Sequence, residues 1–300
     1  MQKILPPATF DALRPWPLAV DYKFFDDWRR HPIASASGTF ELANAWWLMD
    51  MAFLSYAPHA VVTDAFERAG IQATVRPFEG FSTECYVVST TDWHVVAFRG
   101  TQGDRFWPSI LDWATDFAVL PIEDAHGNWV HLGFSDALDQ VWPRIAEYLR
   151  ATARDLRPLV MTGHSLGGAL ATMAAERCGA SFGLRACYTF GSPRCGDRGF
   201  CRAIAAPVFR VRNNSDIVTD VPAELLFTHA GTLEFIDNNG YLHTAWHEHT
   251  DATHRMLDPG GALVGSLKTQ CRVPAMIVPG LFADHAPINY ATLLWNTLDR

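Results

Sequence analysis

The sequence predicts an α/β fold, a mostly parallel central sheet with helices on both faces. A wholly apolar run, Leu159-Val160-Met161-Thr162, ends in Gly163 and gives way to a small-residue helical stretch from Leu166 to Cys178. Strand-like runs then follow at Ala186 to Phe190 and at Val208 to Val211. Alternating strand and helix is the pattern of parallel strands joined by crossovers, and strands buried on both faces read as continuous apolar runs.

Upstream, residues 1–40 are rich in proline and aromatics without clear periodicity, which predicts an extended arm packed on the domain surface. Asn44 to Tyr56 is apolar on most faces and reads as a buried helix. Ile71 to Pro77, Thr83 to Ser89 and His94 to Gly100 are β-branched-rich runs that predict consecutive strands, the first two antiparallel. From Phe134 to Ala153 apolar residues recur at helical spacing and predict one helix. No repeat, low-complexity tract or linker divides the chain, so residues 1–300 are expected to form a single domain.

With 300 residues, 49% of them hydrophobic and 19% charged, the chain can bury a large core. Its net charge of −8 argues against an unassisted electrostatic grip on nucleic acid or anionic membrane, so any lipid contact has to be apolar. No run is long enough to span a bilayer, and Met1 to Pro7 lacks the apolar stretch of a secretion leader. The six cysteines, Cys85, Cys178, Cys187, Cys195, Cys201 and Cys271, form no CxxC pair and read as mostly buried thiols. These features are those expected of a cytoplasmic protein; a secreted chain trimmed of its leader would show the same ones.

Gly163-His164-Ser165-Leu166-Gly167 is a GxSxG motif, which is weak alone and gains meaning from its setting between an apolar strand and an alanine-rich helix. Gly163 and Gly167 lack the side chains that would collide in a sharp strand-to-helix turn, leaving the Ser165 hydroxyl at its apex. The Leu166 amide and the positive end of the new helix then face the point where an oxyanion would form. A serine that merely caps a helix would share the motif but needs none of this setting. His164, adjacent on so tight a turn, points away from Ser165 and reads as a packing residue.

Ordered segments widen the pattern: Phe98-Arg99-Gly100-Thr101 with Trp113 and Asp116, Val130-His131-Leu132-Gly133-Phe134, Thr162 to Gly168, Tyr188 to Arg194, and Arg210 to Val218. From about residue 40 onward the chain resembles the class 3, fungal-type lipases of the α/β-hydrolase superfamily. The resemblance implies the α/β-hydrolase fold and a Ser-Asp-His triad. It gives the acid role to Asp216, with Asp220, then Asp197 and Asp237, as rivals that would otherwise read as solvated loop residues. Chain order admits His229, His243, His247, His249, His254 and His285 as the base. His285, in Phe282-Ala283-Asp284-His285 just before a helix and a tyrosine, is similar to the family's late Asp-His segment, and the other histidines read mainly as surface residues.

The family comparison further implies an oxyanion hole of the Leu166 and Thr101 amides, with the Thr101 hydroxyl as an added donor. It implies a lid over about residues 103–115, with Phe106, Trp107, Ile110 and Leu111 as its apolar face, although these residues could instead simply fill a core. The expected activity is hydrolysis of carboxylic esters through an acyl-enzyme on Ser165, most like a triacylglycerol lipase or esterase, with phospholipase or feruloyl-type esterase as alternatives. Its partner is an acyl ester or lipid, met at a lipid–water interface, with no nucleic acid, no integral membrane segment, no cofactor and no metal. Rival readings from other classes are a non-catalytic binding protein and a metal-dependent hydrolase built on His243, His247, His249 and His254 with Glu248 and Asp251. The His247-x-His249 spacing suits two ligands on a strand but lacks the helical HExxH pattern.

Overall fold

The computed structural model describes residues 2–101, 107, 110, 120–152, 157–246 and 277–300. Strands β1 (Thr74–Glu79), β2 (Glu84–Ser89) and β3 (His94–Phe98) open the sheet, and a separate hairpin holds β4 (Pro121–Glu123) and β5 (Trp129–His131). Then come β6 (Leu159–His164), β7 (Leu184–Phe190), β8 (Val208–Asn213), β9 (Thr232–Ile236) and β10 (Leu242–His243). The main sheet is eight-stranded in the order β1-β2-β3-β6-β7-β8-β9-β10. Strands β3, β6, β7, β8 and β9 run parallel, while β1, β2 and β10 pair antiparallel at the edges.

The α-helices are α1 (Leu42–Leu54), α2 (His59–Arg68), α3 (Leu132–Asp139), α4 (Trp142–Thr152), α5 (Leu166–Cys178), α6 (Arg198–Ala203), α7 (Gly280–Ala283) and α8 (Pro287–Leu298) among the described residues, and a 3-10 turn covers Ile217–Asp220. The helix expected over Phe134 to Ala153 is two helices. Pro143 has no N–H with which to continue the ladder to Asp139, so α3 stops there and α4 begins with the proline in its first turn.

Successive side chains of a strand point to opposite faces, so each strand feeds two cores. In β3, Val95 and Ala97 join Trp46, Phe53 and Tyr290 on the side of α1 and α8. Val96 and Phe98 join Leu138, Ile145 and Leu170 on the side of α3, α4 and α5. From Asn44 to Leu54, α1 is buried all round because it has the sheet on one flank and α8 on another.

The N-terminal arm, expected to pack on the domain surface, is anchored by Phe10, Leu13 and Phe25, which are buried members of the α1–α8 core. A buried carboxylate fixes it there. Asp50 of α1 accepts the Tyr22 hydroxyl and the Phe25 N–H, both at 2.7 Å. Phe25 sits at φ +54°, a strained conformation for a non-glycine residue that this bond and its burial sustain. Burial pushes the Asp50 carboxyl up to about 6, against the pull of the Lys3 ammonium and its two donors.

A group whose folded value lies above its ordinary one of 3.8 makes folding less favourable as pH rises between the two values. Urea unfolding of the wild type and Asp50→Asn at pH 4 and pH 7 is expected to show the wild type losing about 2 kcal/mol relative to the variant on going to pH 7. A pH-independent difference would contradict a strained buried charge at Asp50.

Candidate active site

The nucleophile candidate stands on a turn with almost no spare room. Between the last residue of β6 and the first of α5, Ser165 takes φ +59° and ψ −131°. A Cβ on Gly163 would lie 2.1 Å from the Gly167 carbonyl oxygen, and one on Gly167 would lie 2.2 Å from the Phe98 carbonyl oxygen. Glycine at both positions therefore lets the turn close on itself and against the end of β3. The Ser165 N–H donates to the Phe190 carbonyl at 2.9 Å, tying the apex to β7.

Three side chains from separate segments converge at this turn. The Ser165 hydroxyl lies 2.9 Å from His285 Nε2, and His285 Nδ1 lies 2.9 Å from both carboxylate oxygens of Asp216. All three residues are 0% exposed. The carboxylate can only accept, so His285 Nδ1 carries a hydrogen and Nε2 is free to accept the serine proton. Asp216 follows β8, and its carboxylate also accepts the Val218 N–H at 3.0 Å and the Tyr290 hydroxyl at 2.6 Å. Burial alone pushes the Asp216 carboxyl up; the facing His285 ring and the hydrogen bonds from His285 and Tyr290 together carry it below the usual carboxylate value.

The rival aspartates are engaged elsewhere. Asp220 pairs with Arg212 at 2.9 Å, Asp197 caps α6 by accepting the Phe200 N–H at 2.8 Å, and Asp237 lies 3.0 Å from His243 Nε2. Among the other histidines, His229 is half-buried rather than on the surface and donates from Nε2 to the Thr219 carbonyl at 2.8 Å. His247, His249, His254, Glu248 and Asp251 lie outside the described residues, as do Trp113 and Asp116. Among the described residues no group of three or more His, Cys, Asp or Glu side chains is placed to hold a metal ion.

Thr101 and Leu166 leave the same edge of the sheet side by side, because β3 and β6 are parallel neighbours with Phe98 opposite Gly163. Each lies three residues beyond that pair, and Leu166 opens α5, whose N-terminal amides and dipole face the serine. Of the expected lid residues, Trp107 and Ile110 are buried, and the Trp107 indole N–H donates to the Phe10 carbonyl at 3.1 Å. Phe106 and Leu111 lie outside the described residues.

Several supports of the site were not read from the sequence. Asp284 binds the turn that carries Asp216: its carboxylate accepts Asn214 Nδ2 at 3.0 Å and the Ser215 N–H at 3.1 Å, and its carbonyl accepts Asn213 Nδ2 at 2.9 Å. Burial pushes its carboxyl up to about 6. His164 is more than packing, because both ring nitrogens are hydrogen-bonded, to Tyr56 and to the His285 carbonyl. The Asp-His pair flagged Asp284; nothing in local spacing flagged the partners of His164.

Residues 95–226 match the family model described as Lipase (class 3). The chain is 31% identical over 157 residues to a lipase of Rhizomucor miehei and 30% identical over 172 residues to phospholipase A1-II 1 of Oryza sativa subsp. indica. Each match covers 48% of this chain, which spans 42% of the length of each of these curated relatives. The solved structure of Rhizomucor miehei triacylglyceride lipase superposes with a TM-score of 0.58 at 25% identity, covering 71% of this chain and 88% of that one. The architecture is the α/β-hydrolase fold.

Removing one support of Asp216 gives a measurable linkage. Because its folded value lies below the ordinary 3.8, the stabilisation is present above that pH and is lost as pH falls through the folded value. Tyr290→Phe is expected to cost about 1–2 kcal/mol at pH 7, with the gap to wild type narrowing below about pH 4. Calorimetry across pH 3–7 checks this; a gap that stays constant would show that Tyr290 does not act on the charge of Asp216.

Proposed function

We infer that this chain, which belongs to the class 3 lipase family, is a serine carboxylic-ester hydrolase working through an acyl-enzyme on Ser165. The observation that carries the reading is the unbroken hydrogen-bond chain from Ser165 through His285 to Asp216, buried from water. As the serine oxygen attacks an ester carbonyl, His285 Nε2 takes its proton, and Asp216 stabilises the imidazolium and fixes the tautomer. The Leu166 amide and the amide and hydroxyl of Thr101 receive the oxyanion; one such donor is typically worth about 3 kcal/mol in the transition state. His285 then protonates the departing alcohol, and a water repeats the sequence to release the acid.

The substrate class we propose is an acyl ester of glycerol or a similar alcohol, by analogy with the triacylglyceride lipase of Rhizomucor miehei; the rice phospholipase A1 supports a phospholipase as the alternative. Since Ser165 is fully buried, an ester reaches it only after part of the cover moves. Trp107 and Ile110, with Phe106 and Leu111 beside them in sequence, are the residues we assign to that cover, opening toward an apolar interface. A net charge of −8 favours apolar over electrostatic attachment there.

Ser165→Ala is expected to lower kcat for a p-nitrophenyl ester by about 10⁴-fold or more while leaving the melting temperature close to wild type. Exhaustive chelation of the wild type should leave its activity intact. Hydrolysis that survives in Ser165→Ala, or that chelation removes, contradicts the reading. A chain-length series measured across the solubility limit tests the cover: a jump at the limit supports it, and a smooth rise opposes it.

A further inference from the structure

The geometry points to His164 as a positioning residue that, braced by Tyr56, clamps the main chain of His285 within reach of Ser165. This rests on the assignment of His285 as the base. His164 is 0% exposed, and its Nε2 lies 2.8 Å from the His285 carbonyl oxygen. A carbonyl only accepts, so Nε2 must carry a hydrogen. The Nδ1 of a neutral ring is then an acceptor, and the Tyr56 hydroxyl donates to it at 2.8 Å. Burial holds His164 well below the usual imidazole value, so the ring stays neutral.

The His285 carbonyl selects the Nε2–H tautomer, and the Tyr56 hydroxyl, donating to Nδ1, braces the ring in that place. Room for the hydroxyl comes from Gly100, since a Cβ there would lie 2.1 Å from the Tyr56 oxygen and 2.8 Å from the His164 carbonyl oxygen. The wedge therefore sits between the ends of β3 and β6, one residue from Thr101.

His285 needs an external hold because it lies between the short α7 and α8 rather than in a ladder. Its N–H donates to the Phe282 carbonyl at 3.1 Å, which fixes one side of the residue, and His164 fixes the other. The His164 and His285 rings are 4.7 Å apart between centroids, so a displaced clamp is felt directly by the base.

Two readouts on the full chain test the clamp, one of them independent of catalysis. Long-range ¹H–¹⁵N spectra of the ring nitrogens are expected to show His164 as the Nε2–H tautomer in wild type and in Tyr56→Phe, with the Nδ1 resonance shifted in the variant by loss of its donor. In ester hydrolysis, Tyr56→Phe is expected to lower kcat about tenfold, as for one lost buried hydrogen bond, with KM within twofold. His164→Leu should lose more, and His164→Gln should recover at least part of that loss, because its amide can donate to the carbonyl. With the ring that Tyr56 braces removed, Tyr56→Phe should cost little further in a His164→Gln background. A His164 that carries its hydrogen on Nδ1 in wild type, or full additivity of the two substitutions, overturns the clamp. An inactive wild type with the expected spectra strikes the hydrolase reading alone.

Discussion

Ser165 occupies φ +59° and ψ −131°, a conformation that costs a non-glycine residue about 1–3 kcal/mol and persists only where its surroundings dictate it. Here they do so through contact at backbone distance. Gly163 and Gly167 press the turn against itself and against β3, and the Ser165 N–H is bound to β7. The strand-to-helix turn is thereby a rigid part of the sheet. The strain exposes the hydroxyl to His285 and starts α5 beneath it, and the parallel pairing of β3 with β6 brings Thr101 to the same edge.

Two buried carboxylates show how surroundings divide structural from chemical use. Asp50 and Asp216 are both fully buried. Asp50 accepts two donors and feels Lys3, yet burial prevails and its carboxyl is pushed up to about 6. Asp216 faces a histidine ring in direct contact, with Tyr290 and the Val218 amide adding donors, and it is carried below the ordinary value. A carboxylate kept charged at that position can stabilise an imidazolium, whereas Asp50 serves to anchor the arm.

Local pattern made much of this legible. Helix α5 was read at both ends, because an apolar strand, a glycine elbow and an alanine-rich run leave little choice. The core strands were legible through their continuous apolar runs, though β7 and β8 extend beyond the segments read. Helix α2 and strands β9 and β10 escaped because short elements of mixed polarity resemble loops until tertiary packing selects them. The gap between α3 and α4 is marked by Pro143, but the helical periodicity of the apolar residues runs through it and masks the break. At the site, the structure brings Ser165, Asp216 and His285 together, whereas the bond from Tyr56 to His164 spans 108 residues and has no signature in spacing.

The central claim is that the acyl group passes through Ser165. The most direct measurement is to quench the protein during turnover of a slowly deacylated ester and locate added mass by peptide mapping. The account predicts one acyl group per chain, on the peptide containing Ser165, accumulating within the first turnover and absent from His285→Ala. Steady ester hydrolysis with no covalent adduct, or an adduct on another residue, would contradict it.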